Sequence, residues 1–383
     1  MQWGTPPPEP PSAPKRSILS RFFPIAAIVV TVAYVALFLP ELLSGWNSTT
    51  IILASSVLTM VVVAFPFTVL GAWIGARRSG LTVRKLGLGP VLVLRTDAGA
   101  RYRFVGGWSI FMMQIALGDV PLDRLRAGMP DVLRGMVAGT VARGFAVVGL
   151  LLVVAGSAGS EVMSFYLYMS AAFFTAITLI STLPYMHSLR LLRKGGQEAD
   201  ALVAQWAVGN AIATGRRPRD WDPRVVAMLG RIPDTTINAV VPYSQVYFHY
   251  LDAGDIERAS WFLNKAATIV EGNRRLRGMI VLPDMAYFTA RYLNDAVEAR
   301  RWLDNRKALM PNDHTRARIT TAVLVAEARL DEARAMAQRG LRATEESFDP
   351  GTALMDADLL RGMLAEIDAI ASAVPQRPTL AAW

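Results

Sequence analysis

His187, His249 and His314 are the only histidines in the chain, and there is no cysteine. Disulfides, thiolate catalysis and thiolate metal sites are therefore excluded. A zinc hydrolase needs three protein ligands and a general base, commonly H-E-x-x-H on one helix face plus a carboxylate elsewhere. A serine mechanism needs a hydroxyl paired with His or Lys. The long uncharged segments of this chain contain no Asp, Glu or His. "GSAGS" (Gly156–Ser160) and His187 fall at opposite membrane faces of the segments that hold them, so they do not pair. His249 and His314 stand isolated in helical stretches and read as ordinary surface or packing residues. Little is left for acid–base or metal work, and what remains must be positioned by the apolar segments.

Those segments dominate the first half. The chain has 383 residues, 52% of them hydrophobic. Residues 22–40, 51–76 and 162–186 are uncharged, and each is long enough for a hydrocarbon core that takes ~20 residues. Residues 144–160 are uncharged too and need 135–143 for length. The sequence thus predicts four transmembrane helices, over about 22–43, 51–76, 136–157 and 162–186. The first is followed directly by another span and lacks a small-residue cleavage pattern, so it reads as a span and not a signal peptide. Lys15, Arg16 and Arg21 precede it. Ten Lys and Arg lie between spans two and three, from Arg77 to Arg134, and Arg190, Arg193 and Lys194 follow span four. The links 44–50 and 158–161 carry none. The positive-inside rule places both termini and the central segment in the cytoplasm of a plasma or bacterial inner membrane. This use of the charge accounts for much of the net +9 and leaves no basic, aromatic-interleaved stripe for nucleic acid.

Residues 1–21 form a proline-rich tail expected to be disordered. Residues 81–114 read as a small antiparallel sheet at the membrane surface. Val91–Arg95 and Arg101–Val105 flank the turn-rich "TDAGA", and Tyr102, Phe104 and Trp108 suit an interface. From Gly196 to the end the chain reads as soluble and helical, with "RRPRDWDP" (Arg216–Pro223) as a rigid, charged lead into paired helices. The pairs recur over Tyr247–Val270, Ala286–Met310 and Ile319–Leu341. Asp255 and Asp295 lie forty residues apart, and Ala299 and Ala333 thirty-four apart. This resembles a tetratricopeptide-type array, whose units stack to bury their apolar faces and whose concave face usually binds protein. A compact helical domain without a partner fits the same pattern. The fold class is therefore mainly α: a polytopic membrane domain over 22–195 with a β-hairpin sheet, then a helical repeat domain over 196–383.

The stretch "FPFTVLGAWIGARRSGLTVRKLGLGP" (Phe65–Pro90) resembles the site-2 protease family of membrane-embedded zinc metalloproteases. In that family a helix carrying H-E-x-G-H runs to a Gly and then to a strand ending in G-x-G-P. With Gly80 and "GLGP" (Gly87–Pro90) in register, the zinc motif falls on Thr68-Val69-Leu70-Gly71-Ala72. Gly71 matches; Thr68, Val69 and Ala72 stand in place of His, Glu and His. "FVGGWSIFM" (Phe104–Met112) resembles the family's Gly-Gly-Tyr-Val hairpin. "VAGTVARG" (Val137–Gly144) resembles its A-G-P-x-x-N helix start, with Thr140 and Arg143 in place of Pro and Asn. "STLPYMHSLRLLR" (Ser181–Arg193) resembles the segment that supplies the third zinc ligand, and puts His187 near that aspartate. The resemblance covers about residues 50–195.

The family implies zinc-dependent cleavage of peptide bonds in the membrane. The substitutions at Thr68, Val69 and Ala72 argue against it, because His187 alone cannot hold zinc. The expectation is a noncatalytic pseudoprotease with no zinc or other cofactor. It would act as a scaffold in the lipid bilayer, holding a membrane-protein partner and a cytoplasmic protein partner. The alternative is an active zinc protease with relocated ligands. Gly71 and Gly75 form a G-x-x-x-G pair for close helix approach. Arg143 is the one ionisable residue well inside a predicted span. Its head either snorkels to the interface or occupies the vacated metal region near Thr68 and His187.

Overall fold

The protein is mainly helical with one small sheet, and it divides into two compact units. The first comprises Met1–Leu117 with Asp123–Gly195, and the second Gly118–Leu122 with Gly196–Trp383. A computed structural model describes residues 67–88, 91–96, 99–104, 115–118, 120–157, 161–233, 237–272, 283–306, 312–347 and 349–373. The tail 1–21 and the span expected at 22–43 lie outside the described residues. Of the span expected at 51–76, only 67–76 is described.

In the first unit, helix α1 covers residues 67–78. It stops where Gly80 adopts φ 67°. There the Leu81 N–H donates to Ala76 O at 2.8 Å and the Gly80 N–H to Arg77 O at 3.1 Å. This left-handed terminator would strain any side chain at position 80. Four strands follow: β1 (Val83–Leu88), β2 (Val91–Thr96), β3 (Gly99–Phe104) and β4 (Ile115–Leu117). They pair antiparallel in the order β3-β2-β1-β4. β2 and β3 are the two strands expected around "TDAGA", with Leu94 opposite Arg101. β1 and β4 enlarge the hairpin because β1 offers its second edge to β4 across an irregularity at Val83/Lys85.

Helices α2 (Leu122–Ser157) and α3 (Glu161–Lys194) complete this unit. α2 begins well before the expected 136. Pro121 precedes it and Asp123 sits in its first turn, both favourable at a helix N-terminus. "VAGTVARG" therefore lies inside a helix and does not open one. α3 runs past the expected 186 and ends on Arg193 and Lys194, which suit its C-terminal dipole. Stretches Leu122–Gly149 and Leu167–Lys194 are each long and apolar enough to cross a membrane, and among the described residues these are the two of that kind. Val147, Leu151, Ala155, Leu167, Ala171 and Phe174 pack together between α2 and α3. Phe145, Phe165 and Leu179 on the same two helices are exposed.

The second unit is a run of helices: α4 (Gln197–Ala213), α5 (Pro223–Gly230), α6 (Val240–Asp252), α7 (Ile256–Gly272), α8 (Asp284–Phe288), α9 (Ala296–Arg306), α10 (Asp313–Ala326), α11 (Leu330–Glu345) and α12 (Pro350–Ala373). α8 continues into a π turn at Thr289–Leu293. Three packed hairpins result, α6–α7, α8–α9 and α10–α11. Their turns pass through left-handed Gly254, Asn294 and Ala328. Asp255 and Asp295 have a common local role. Each accepts the N–H three residues on, from Arg258 at 3.0 Å and Glu298 at 2.9 Å, and so caps the second helix of its hairpin. Ala259, Ala266, Ala299, Ala333 and Ala337 are fully buried where the helices meet.

Candidate functional site

Of the residues expected in register with a zinc motif, Thr68 and Gly71 lie on the face of α1 that meets α2. Ala72 is 0% exposed and Val69 and Thr68 are buried. The Thr68 Oγ1 lies 3.0 Å from Thr140 Oγ1 on α2, which satisfies both hydroxyls inside an apolar contact. The approach is closer still at the glycines. A Cβ on Gly71 would lie 2.1 Å from Gly135 O, and one on Gly75 would lie 2.2 Å from Asp131 O. From the other side, a Cβ on Gly139 would lie 2.2 Å from Phe67 O. Two small-residue pairs, Gly71/Gly75 and Gly135/Gly139, thus bring two backbones together. Ser79 Oγ, at the end of α1, sits 3.1 to 3.2 Å from Gly75 O, Gly128 O and Asp131 Oδ2.

Arg143 lies on α2 near Thr140 but turns to the third helix, where its Nη2 donates to Ser181 Oγ on α3 at 3.0 Å. His187, further along α3, is exposed. The structure therefore brings Thr68 to Thr140, Gly71 to Gly135 and Arg143 to Ser181, with Val69 and Ala72 buried. Among the described residues, no group of three or more His, Asp or Glu side chains is placed to hold a metal ion. "FVGGWSIFM" beyond Phe104 and Gly89-Pro90 of "GLGP" lie outside the described residues. An open groove of about 520 Å3 runs beside the α1–α2 contact, lined by Phe67, Leu70, Gly71, Ile74, Ala138 and Gly139, with Arg78, Asp131 and Arg134 also on its wall.

The paired threonines give a direct test of this packing. Replacing both with valine is expected to cost little, whereas Thr68→Val alone leaves the Thr140 hydroxyl buried without its partner. A double-mutant cycle on thermal unfolding in detergent should show a coupling of about 1 kcal/mol. Additivity within ~0.3 kcal/mol would show that the hydroxyls do not act as a pair.

The sequence reading missed a buried ionic network in the second unit. Arg318 on α10 is 0% exposed. Its Nη2 donates to Asp284 Oδ1 on α8 at 2.7 Å, and its Nε lies 2.6 Å from Asp356 Oδ1 on α12. The second contact is an ion pair without hydrogen-bond alignment, and Nη1 has no acceptor. Tyr247 on α6 donates to Asp284 at 3.2 Å, and the guanidinium carbon sits 4.5 Å from the Tyr287 ring centroid. His314, 2% exposed, contacts Asp356 Oδ2 at 2.8 Å through Nδ1 and Ser347 Oγ at 3.0 Å through Nε2. Burial pushes the Asp356 carboxyl up, but Arg318 and the His314 hydrogen bond outweigh it and hold the group below the usual carboxylate range. Burial likewise opposes the Arg318 charge, and the two carboxylates more than compensate. His314 is thus a packing residue, as its sequence context suggested, but it is not isolated.

Ser347, His314 and Asp356 are linked in the order of a hydrolase relay. Their other contacts assign them to structure. The Asp356 carboxylate is neutralised by Arg318 and accepts from Thr315 at 2.9 Å. Ser347 Oγ accepts the Asp349 N–H at 3.1 Å, so it caps the turn into α12. His249 is equally local: its Nδ1 is 2.8 Å from Pro218 O, and its ring stacks on Trp221.

Comparison with protein-family models, curated proteins and solved structures finds no match to this chain. The site therefore stands on its own geometry. That geometry offers closed helix packing in the first unit and a closed ionic core in the second.

Proposed function

We propose that this protein is a noncatalytic integral-membrane scaffold. In this reading the first unit is a degenerate relative of the site-2 proteases and the second a tetratricopeptide-like array in the cytoplasm. One observation carries it: the residues aligned with the zinc motif are consumed by packing. Val69 and Ala72 are buried, Thr68 bonds Thr140 on α2, and Gly71 meets Gly135 backbone to backbone. That face would have to open before it could present ligands to a metal or a peptide bond. The α1–α2 groove, with apolar and small residues along it and charges beside them, supports a role in holding a partner's membrane helix. The helical hairpins of the second unit support a cytoplasmic protein partner.

The test uses the full-length chain purified from membranes in mild detergent. Substoichiometric zinc is expected, unchanged by His187→Ala, together with co-purification of a specific membrane-protein partner. Stoichiometric zinc that is lost on His187→Ala would overturn this reading in favour of a protease with relocated ligands. Absence of a specific partner, from the whole chain and from a chain ending at Gly196, would remove the scaffold role.

A further inference from the structure

Arg143 is the one charge that the sequence places well inside an apolar run, and the scaffold reading leaves it unused. Its guanidinium is held at the seam between α2 and α3, where Nη2 donates to Ser181 Oγ at 3.0 Å. Ser181 Oγ donates in turn to Thr178 O on its own helix at 3.1 Å, which leaves its lone pairs for the arginine. The helices touch beside this bond: a Cβ on Gly144 would lie 2.5 Å from Thr178 Cγ2. The head is therefore directed across to the neighbouring helix.

Its depth gives this placement meaning. Arg134 is the last charged residue before Arg143 on α2, and Arg190 the first after Ser181 on α3; each is nine residues away. At ~1.5 Å per residue, both ends of the bond lie about 14 Å along their helices from the charged flank. That is close to the middle of a ~30 Å hydrocarbon core. A cation at such depth is costly and ordinarily pairs with an anion or faces water. Ser181 supplies one acceptor to a group with five N–H donors, and it carries no charge.

The apolar segments of this chain hold no anion to give it. α2 has no Asp or Glu after Asp131, and α3 has none after Glu161. Residues 67–78 of α1 have none, and neither do the uncharged runs 22–40 and 51–66. A second copy brings the same segments and the same lack. Lipid phosphates lie at the level of the charged flank, not at the level of Arg143.

We propose that Arg143 is the recognition point for a carboxylate on a transmembrane helix of another protein. An Asp or Glu about nine residues inside the charged end of that helix meets the guanidinium, while Ser181 holds the fork in place. Val141 and Phe145 on α2 and Leu179 and Leu183 on α3 bracket the pair in sequence and are exposed, so apolar surface is available to the rest of the helix. This rests on the scaffold reading in needing a membrane-protein partner, and it specifies one feature of that partner.

The test reconstitutes the full-length protein into phosphatidylcholine vesicles. It measures energy transfer from the protein's tryptophans to dansyl-labelled Leu-Ala transmembrane peptides that carry one central Glu, Gln or Lys. Saturable association of the Glu peptide is expected, with the Gln peptide about tenfold weaker, the effect of one charge-assisted interaction, and the Lys peptide weaker again. Arg143→Gln should erase the difference between Glu and Gln peptides. The comparison of peptides on the wild type decides the matter even if that variant does not fold. Equal association of the Glu and Gln peptides with the wild type would overturn the proposal, as would a full Glu preference in folded Arg143→Gln. Loss of the preference on adding phosphatidylglycerol would assign the cation to lipid phosphate and overturn it too. Each of these results leaves the scaffold reading standing, whereas a Glu preference without any co-purifying partner removes the scaffold role and keeps the site.

Discussion

Arg318→Met should unfold the second unit at markedly lower temperature than the wild type. The change keeps most of the side-chain volume but strands Asp284 and Asp356, which are buried and whose carboxylates face Arg318 at 2.7 and 2.6 Å. Removing one partner of a buried ionic group costs about 3–5 kcal/mol, because the two carboxylates lose the guanidinium between them and keep only the hydrogen bonds from Tyr247, His314 and Thr315. In a domain of this size each kcal/mol shifts the midpoint by roughly 2–4 °C, so a drop of about 10 °C is expected. Adding Asp284→Asn and Asp356→Asn to Arg318→Met should recover much of the loss, since no ionised group is then left uncompensated. A control lies nearby. Arg334 and Asp368 also make an ion pair, at 2.7 Å, but both are substantially exposed. Arg334→Met should change stability by ~0–1 kcal/mol, the usual range for surface pairs. If Arg318→Met melts with the Arg334 variant, the buried network is not an energetic unit.

Gly71→Ala is the second large effect, and it concerns the smallest possible addition. The new Cβ would lie 2.1 Å from Gly135 O. The obstacle is backbone, which cannot swing aside as a side chain can, so α1 and α2 must separate. Overpacking of a core costs typically ~1–3 kcal/mol and more when only the backbone can yield. The separation would also break the Thr68–Thr140 bond. Size-exclusion profiles after heating in detergent should show Gly71→Ala aggregating well below the wild type. Gly149→Ala is the matched control on α2, because nothing lies within 4 Å of its added Cβ. There the helix gains up to ~1 kcal/mol of intrinsic propensity, and stability should hold or rise. Equal behaviour of the two variants would sink the close-packing account of α1.

Some of this was legible in the residues alone. The G-x-x-x-G spacing of Gly71 and Gly75 marks one face of one helix, and that face is a purely local property. Of its partner surface, Gly139 was hidden within a stretch read as a helix start, and Gly135 lay just ahead of it. Uncharged runs marked α2 and α3, but not their full length, since the polar first turns of α2 carry no hydropathy signal. Asp255 and Asp295 were visible as a recurrence, and capping explains it: a short carboxylate just before an amphipathic helix serves the same N–H in each hairpin.

The charged core of the second unit was not legible in this way. Asp284, the His314/Arg318 pair and Asp356 are far apart in the chain, and each looks like an ordinary polar residue on a helix. Their meaning arises only when three helices converge, because a buried charge is tolerable only with its counter-charges at hydrogen-bond distance. Arg143 is a similar case. Sequence marks it as a charge inside an apolar run, but only the packing of α3 against α2 gives it Ser181. The sequence by itself determined the apolar helices, the hairpin turns, their caps and the lack of metal-binding residues in the long uncharged segments. All of these follow from composition and short-range spacing. Tertiary structure alone decided which faces close, which charges meet and where space remains, because those depend on contacts between residues that the chain order keeps apart.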